Sequence, residues 1–336
     1  MAHQCSLLLV PILFLLSVGV SHGQEKKLEP LNISYPSVTG NMAPLWIAKE
    51  MGLYEKNGLD AKLVNIASGT VSVNALIAGD IHIGAASGSS AVAAAGRGAP
   101  LVILATFGPT PYKLVAHPSI TSIQELKGKI IGSSRPGAGS DFALRRLLRK
   151  LGLTPGKDVT ILATGLSESD KRILVMLQGK IDATLGGEDN VLQFELRGQK
   201  LSVLAGLLEM GLYTSGSVLT TTRQFLKNYP YRVKAMLKAF SEGIWIGRTN
   251  KEVAFQIYRK YMRVDDPRLL EITYKTTLLN RIPPKPYPRE EAVQSDIEDL
   301  SATTPQLKGM KPSDFMDVSI LKEIESEGFF ARLHGY

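Results

Sequence analysis

Cysteine is nearly missing from this chain: the single one, Cys5, lies inside an apolar N-terminal stretch. Once that stretch is removed no thiol remains, which excludes disulfides, cysteine-ligated metals and a cysteine nucleophile together. Long apolar runs are missing too. The one candidate, Ser6 to Val20, is broken by Pro11, Ser17 and Gly19 and falls short of the ~20 residues a membrane span requires. It ends in Ser21-His22-Gly23 before Gln24, the small-x-small shape of a signal-peptidase site, so residues 1–23 are read as a cleaved export signal and the protein as periplasmic. A basic start is lacking, since no Lys or Arg precedes the run, and an uncleaved anchor stays open as the alternative. Aromatic residues make up 7% of the chain and do not alternate with basic ones, so the stripe of a nucleic-acid binder is absent. The formal charge of +8 is scattered; its densest group, Arg145, Arg146, Arg149 and Lys150, falls late in a predicted helix, where cations complement the dipole. There is no phosphate loop ending in Gly-Lys-Ser, no His-x-x-x-His helix and no Gly-x-Ser-x-Gly elbow after a strand. No metal, no cofactor and no catalytic residue is therefore expected. His82, between Ile81 and Ile83, reads as an ordinary strand residue, and His117 before Pro118 has no partner pattern.

What is present is an alternation of short β-branched runs with helical segments, which argues for α/β layering. Strands are predicted at 32–35, 61–66, 81–85 and 101–105, and helices at 44–51, 70–78 and 91–96, with Pro44 suited to a first helical position. A similar series recurs further on: Gly58-Leu59, Ser68-Gly69 and Ala78-Gly79-Asp80-Ile81 are echoed by Gly152-Leu153, Thr164-Gly165 and Gln178-Gly179-Lys180-Ile181. Nearly constant spacing implies two similar lobes. Leu144, Leu147, Leu148 and Leu151 form one apolar stripe that Gly152 stops, a core helix. After Gln224 the texture changes to longer helices, interrupted by Pro283, Pro284, Pro286 and Pro288. The economical reading is lobe 1 from 24–110 and 214–336, lobe 2 from 111–213, and two crossing segments between them, with the tail packed on lobe 1.

In open α/β sheets ligands sit beyond the carboxyl ends of the strands. The loops there share small and hydroxyl residues: Ser37 to Asn41, Ser68-Gly69-Thr70, Ala86 to Ser90, Ser134 to Ser140 and Gly186-Gly187-Glu188. Small residues admit a ligand close to the backbone, and the following helix N-termini aim N–H groups at it, so the cleft suits an anionic or strongly polar solute. The candidate ligand-binding residues are Thr39, Gly40, Asn41, Ser68, Gly69, Thr70, Ser87, Gly88, Ser134, Arg135, Gly137, Ala138, Gly139, Ser140, Gly187 and Glu188, with Tyr35 and Tyr112 as stacking walls. Each loop taken singly is also an ordinary helix cap. Arg135 either pairs with an anion or faces solvent; Glu188 and Asp189 either hold a ligand amine or cap the next helix. Trp46 is read as core.

Three stretches in order, Ala43-Pro44-Leu45-Trp46-Ile47-Ala48-Lys49-Glu50-Met51-Gly52-Leu53-Tyr54-Glu55-Lys56-Asn57-Gly58-Leu59, Ala78-Gly79-Asp80-Ile81-His82-Ile83-Gly84 and Ile123-Gln124-Glu125-Leu126-Lys127-Gly128-Lys129, resemble the nitrate, sulfonate and taurine class of periplasmic binding proteins of ABC transporters, a class that includes binders of thiamine-pyrimidine precursors. The similarity runs from about Asn32 to Phe255. It implies the type II periplasmic-binding-protein fold, two α/β lobes closing on a solute by a hinge, and a monomer that delivers it to a permease and its ATPase. It also implies that residues 39–41, 68–70, Ser87, Gly88 and 136–140 line the site. Relatives of the fold resemble enzymes, pyrimidine synthases of thiamine biosynthesis and a chorismate-processing enzyme of menaquinone biosynthesis. The first kind carries a cysteine-rich motif that this chain lacks, and both kinds work in the cytoplasm. A periplasmic sensor that feeds no transporter is the third reading.

Overall fold

The computed structural model describes Met1, residues 27–67 and residues 69–335; the expected export signal and Ser68 lie outside the described residues. Ten strands form two five-stranded mixed sheets. The first takes β1 (Glu29–Tyr35), β2 (Leu59–Asn65), β3 (Ile83–Ser87), β4 (Leu101–Thr106) and β10 (Ser217–Thr222) in the order β2-β1-β3-β10-β4. The second takes β5 (Lys113–Ala116), β6 (Ile130–Ser133), β7 (Thr160–Ala163), β8 (Ala183–Gly186) and β9 (Ser202–Gly206) in the order β7-β6-β8-β5-β9. In each, three parallel strands are followed by one antiparallel strand next to the crossing: β10 pairs with β3 from Ser217 opposite Ser87, and β5 with β8 from Lys113 opposite Gly186. The strand that closes the first sheet thus arrives only after the second sheet is complete.

Side-chain patterns explain these placements. β4 is buried along its whole length, Leu101 to Thr106, as an apolar run covered on both faces should be. Edge strand β2 alternates, with Leu59 and Ala61 inward and Asp60 outward. The expected strand at 81–85 is displaced to Ile83–Ser87, because Ile81 N–H still bonds the Ala75 carbonyl and so closes the preceding helix. No loop therefore spans Ala86 to Ser90: the strand runs through Ser87 and a helix, Gly88–Gly96, begins at once. The leucine stripe is core as read, with Leu144, Leu147 and Leu148 fully buried on the helix Gly139–Lys150.

The tail helices pack on the first sheet's side. Helix Pro230–Thr249 lies against helix Ala43–Glu50 closely enough that a Cβ at Gly243 would sit 2.4 Å from the Pro44 carbonyl oxygen. Trp46, Phe107, Phe240 and Tyr258 belong to this one apolar cluster, and Leu114, Leu144 and Leu147 to a separate one behind the second sheet. Two segments connect the sheets, between β4 and β5 and between β9 and β10. They touch through glycines with positive φ: a Cβ at Gly216 would meet the Gly108 oxygen at 2.0 Å, and one at Gly108 would meet the Arg281 oxygen at 2.0 Å. Among the described residues no helix is long and apolar enough to cross a membrane.

Candidate functional site

A cavity of about 180 Å³ opens where the carboxyl ends of both sheets face each other. From the first sheet's side, Thr39, Gly40 and Asn41 follow β1, and Ser87 ends β3. Thr39 Oγ1 donates to Asn41 Oδ1 at 2.6 Å, and Asn41 Nδ2 donates to Ser217 Oγ at 3.3 Å, so the first loop is tied to the start of β10. From the second sheet's side come Ser134, Ala138, Gly139 and Ser140 after β6, and Gly187 and Glu188 after β8. The Ser134 and Ser140 hydroxyls pair at 2.6 Å, and Gly187 N–H donates to Asn190 Oδ1 at 2.8 Å. Helices begin at Gly88, Gly139 and Glu188, two in one lobe's frame and one opposite, and their N-terminal ends border the cavity.

Four sequence-predicted residues stand elsewhere or act differently. Tyr35 does not line the cavity; it packs edge-on against buried Trp46, 6.0 Å between centroids, and Trp46 itself stacks on Tyr261. Gly88 is a packing residue: a Cβ there would lie 2.2 Å from the Ser215 Cβ on the second crossing. Gly137 sits at the rim, where its carbonyl accepts from Ser90 Oγ at 2.8 Å. Arg135 is half-exposed and stands at the rim, where its guanidinium bonds the Ala67 carbonyl and the Ser167 hydroxyl, both of residues that line the cavity. Gly69 and Thr70 begin the helix Gly69–Ala78, and Ser68 lies outside the described residues. Gly139 lines the cavity and also explains why glycine stands there: a Cβ would be 2.5 Å from Ser87 Oγ across the cleft.

The rim bonds hold the two sides together. Ser167 Oγ donates to the Ala67 carbonyl at 3.1 Å beside Arg135, and Arg146 reaches across to Asp299 and to Ser295 Oγ at 2.6 Å. Behind the wall, fully buried Arg172 donates to the carbonyls of Leu166 and Ser167 at 2.9 Å, to that of Leu185 at 3.1 Å, and to the hydroxyls of Ser169 and Thr184. A buried cation is tolerable when its donors are all used, and here it fixes the loop that presents Ser167 and Ser169 to the cavity.

Sequence reasoning missed the groups that the chain's return brings in. Ser217 comes from β10, Thr276 and Thr277 from a π-helical turn at Tyr274–Leu279, and Arg281 from just before the proline-rich segment. Arg281 Nη2 donates to Thr110 Oγ1 at 2.7 Å and to Ser217 Oγ at 3.4 Å, touching both crossings, and its buried Nε has no hydrogen-bond partner. Burial lowers the Arg281 pKa from the ordinary arginine value, opposed by Tyr112 and Asp189. Asp189 lines the opposite side, and burial raises its pKa, opposed by backbone N–H groups and by the Arg281 charge. In the sequence Arg281 follows Leu278-Leu279-Asn280 just before the prolines, with no pattern that sets it apart from the other scattered cations.

The family described as NMT1/THI5 like matches residues 39–248, well over half the chain. A Brucella abortus protein whose name calls it a binding protein is 27% identical over 248 residues, 70% of this chain and 74% of that one. A Bacillus subtilis protein named for binding aliphatic sulfonates is 26% identical over 287 residues, covering 82% and 83%. Among solved structures, the alkanesulfonate-binding protein SsuA of Xanthomonas axonopodis pv. citri, bound to MOPS, superposes with a TM-score of 0.70 at 20% identity, over 87% of this chain and 99% of that one. The fold is the two-lobed one of the periplasmic binding proteins, and the chain belongs to the NMT1/THI5-like family.

Proposed function

We propose that this protein is the exported solute-binding component of an ABC importer, which takes up a small polar solute in the cavity and presents it to a membrane permease and its ATPase. The observation that supports this reading most is the composition of the cavity wall: it draws on both sheets, both crossings and the tail at once. A solute there bonds groups from two lobes, so its binding free energy favours the arrangement in which the lobes meet, which is the physical basis of ligand-linked closure. We assign 24–110 and 214–336 to one lobe and 111–213 to the other, with residues 1–23 as the export signal. The described lining residues include no His, Cys or Lys, and their hydroxyls have no imidazole beside them to activate them as nucleophiles. The names of the Bacillus and Xanthomonas relatives support oxyanion-bearing solutes.

A thermal-shift screen of the purified protein against alkanesulfonates, nitrate, bicarbonate, carboxylates and pyrimidines tests this. A solute at about one hundred times its dissociation constant adds about 2.7 kcal/mol of stability, and a saturable rise in melting temperature is expected for one class. A flat response across the panel, or turnover of a hit detected by mass spectrometry, overturns the transport reading.

A further inference from the structure

The helix Gly139–Lys150 starts at the cavity and gives its leucines to the second lobe's core. Another stripe of the same helix serves a different partner. Phe142 is half-buried and packs against a cluster of the first lobe and the tail that includes Ala91, Val92, Ile103, Val293 and Ile297. Arg146, four residues on and so on the same helix face, has a side chain only 13% exposed and pairs with Asp299. It also donates to Ser295 Oγ at 2.6 Å and to the Tyr213 carbonyl on the second crossing. Its neighbour Arg145 pairs with Asp141 one turn back on its own helix.

What Arg146 grips is firmly seated. Ser295 and Asp299 stand one turn apart on the tail helix Glu290–Ser301, whose Asp296 is buried. Asp296 accepts from Ser89 Oγ at 2.8 Å with one carboxylate oxygen and from the Ser215 N–H at 3.1 Å with the other. Ser89 belongs to the first-lobe helix Gly88–Gly96 and Ser215 to the second crossing, so this buried carboxylate fixes the tail helix to the first lobe and to the hinge at once. None of Phe142, Arg146, Ser295 and Asp299 lines the cavity. The rim bonds of Ser90 and Ser167 end on backbone carbonyls in exposed positions, whereas this junction sets charge on charge beside a packed ring. A second tail helix, Pro267–Thr273, lies against Glu188–Leu196 of the second lobe. The tail, beyond the residues 39–248 matched by the family, thus meets the second lobe at helices that border the cavity.

We propose that the tail helix Glu290–Ser301 is a latch between the lobes: Asp299, with Ser295, holds Arg146 of the second lobe and keeps the lobes together by direct contact, whether or not a solute bridges them. The inference rests on the two lobes assigned above. A solute then meets a protein already biased towards the joined arrangement, and its apparent dissociation constant is the intrinsic one divided by the fraction of molecules so arranged. Residues that the solute never touches thereby set how tightly it is held.

Pulsed electron–electron resonance on the purified protein tests it, with spin labels at Asn74→Cys and Leu174→Cys in a Cys5→Ser background and no solute added. Both labelled positions are exposed, one on each lobe. Native side chains at the latch should give one dominant, short distance. Arg146→Gln and Asp299→Asn should each raise the ratio of separated to joined molecules about threefold to fivefold, the upper reach of a partly exposed ion pair, with the melting temperature nearly constant. Reversing the pair, Arg146→Asp together with Asp299→Arg, should bring the ratio at least halfway back. Arg145→Gln, which breaks a bond inside its own helix, should leave the distances as they are. Unchanged distances in both single variants overturn the latch, and so does a separation that the reversed pair fails to restore or that Arg145→Gln reproduces. Because no solute enters the measurement, these outcomes leave the solute-binding reading to the thermal-shift panel.

Discussion

In the first lobe the order β2-β1-β3-β10-β4 is backed by the tail helices, and Trp46, Tyr54, Phe240 and Tyr258 are all fully buried there; in the second the equivalent order β7-β6-β8-β5-β9 rests on a smaller cluster of leucines and a single large aromatic group, Phe194. The two frames are alike because each repeats the same strand and helix units, yet the masses that stabilise them differ. The cleft reflects the same division. The better-supported lobe supplies the cation, from a segment its tail helices hold in place, and the lighter lobe supplies the carboxylates and the buried Arg172 scaffold.

The largest test of that comparison is to hollow out one lobe at a time. Phe240→Ala removes a ring packed 4.8 Å from Phe107 and should cost about 4 kcal/mol, appearing first in tryptophan fluorescence, since both tryptophans, Trp46 and Trp245, lie in the first lobe's segments. Leu147→Ala in the second lobe should cost about 3 kcal/mol and shift the circular-dichroism transition ahead of the fluorescence one; coincident transitions in both variants would mean the lobes unfold as one unit. Next in size, Arg172→Met strands the carbonyls of Leu166, Ser167 and Leu185 and should lower stability by about 3 kcal/mol or less, while weakening solute binding through Ser167 and Ser169. Unchanged affinity would show that this loop positions nothing.

Arg146→Ala is smaller. It removes the link to Asp299 and Ser295, a partly exposed contact contributing at most about 1 kcal/mol, and solute-free protein should become slightly larger by small-angle scattering with melting temperature nearly constant. The smallest effect concerns the tail alone. Lys234 and Lys238 pull the Glu327 carboxyl from 4.5 down to about 2. A depressed carboxyl stabilises the fold above its unfolded value and loses that contribution as pH falls through the folded one. Hydrogen-exchange protection of the helix Phe329–His334 should therefore decline between pH 4.5 and 2 before that of the second lobe.

The readable parts of the molecule were local ones. Helix-ending glycines such as Gly52, Gly79 and Gly152 do take left-handed φ, the leucines of Gly139–Lys150 are buried, and the small, hydroxyl-rich stretches after β1, β6 and β8 do meet in one cavity. Arg135 shows the limit of such reading: a cation in a Gly and Pro loop looks available, and only the folded loop turns it onto Ala67. Gly88 looked like a ligand contact and is a packing contact with Ser215, because what faces a glycine depends on a segment more than a hundred residues away.

By itself, then, the amino-acid sequence determined the α/β layering, the paired lobes and the polar character of the cleft, because these follow from periodicity and turn chemistry acting over a few residues. The tertiary structure decided which charges face the solute. Arg281, Thr277 and Ser217 reach the cavity only because the chain returns to the first sheet and packs its tail there, and long-range packing of that kind leaves no periodic trace along the chain.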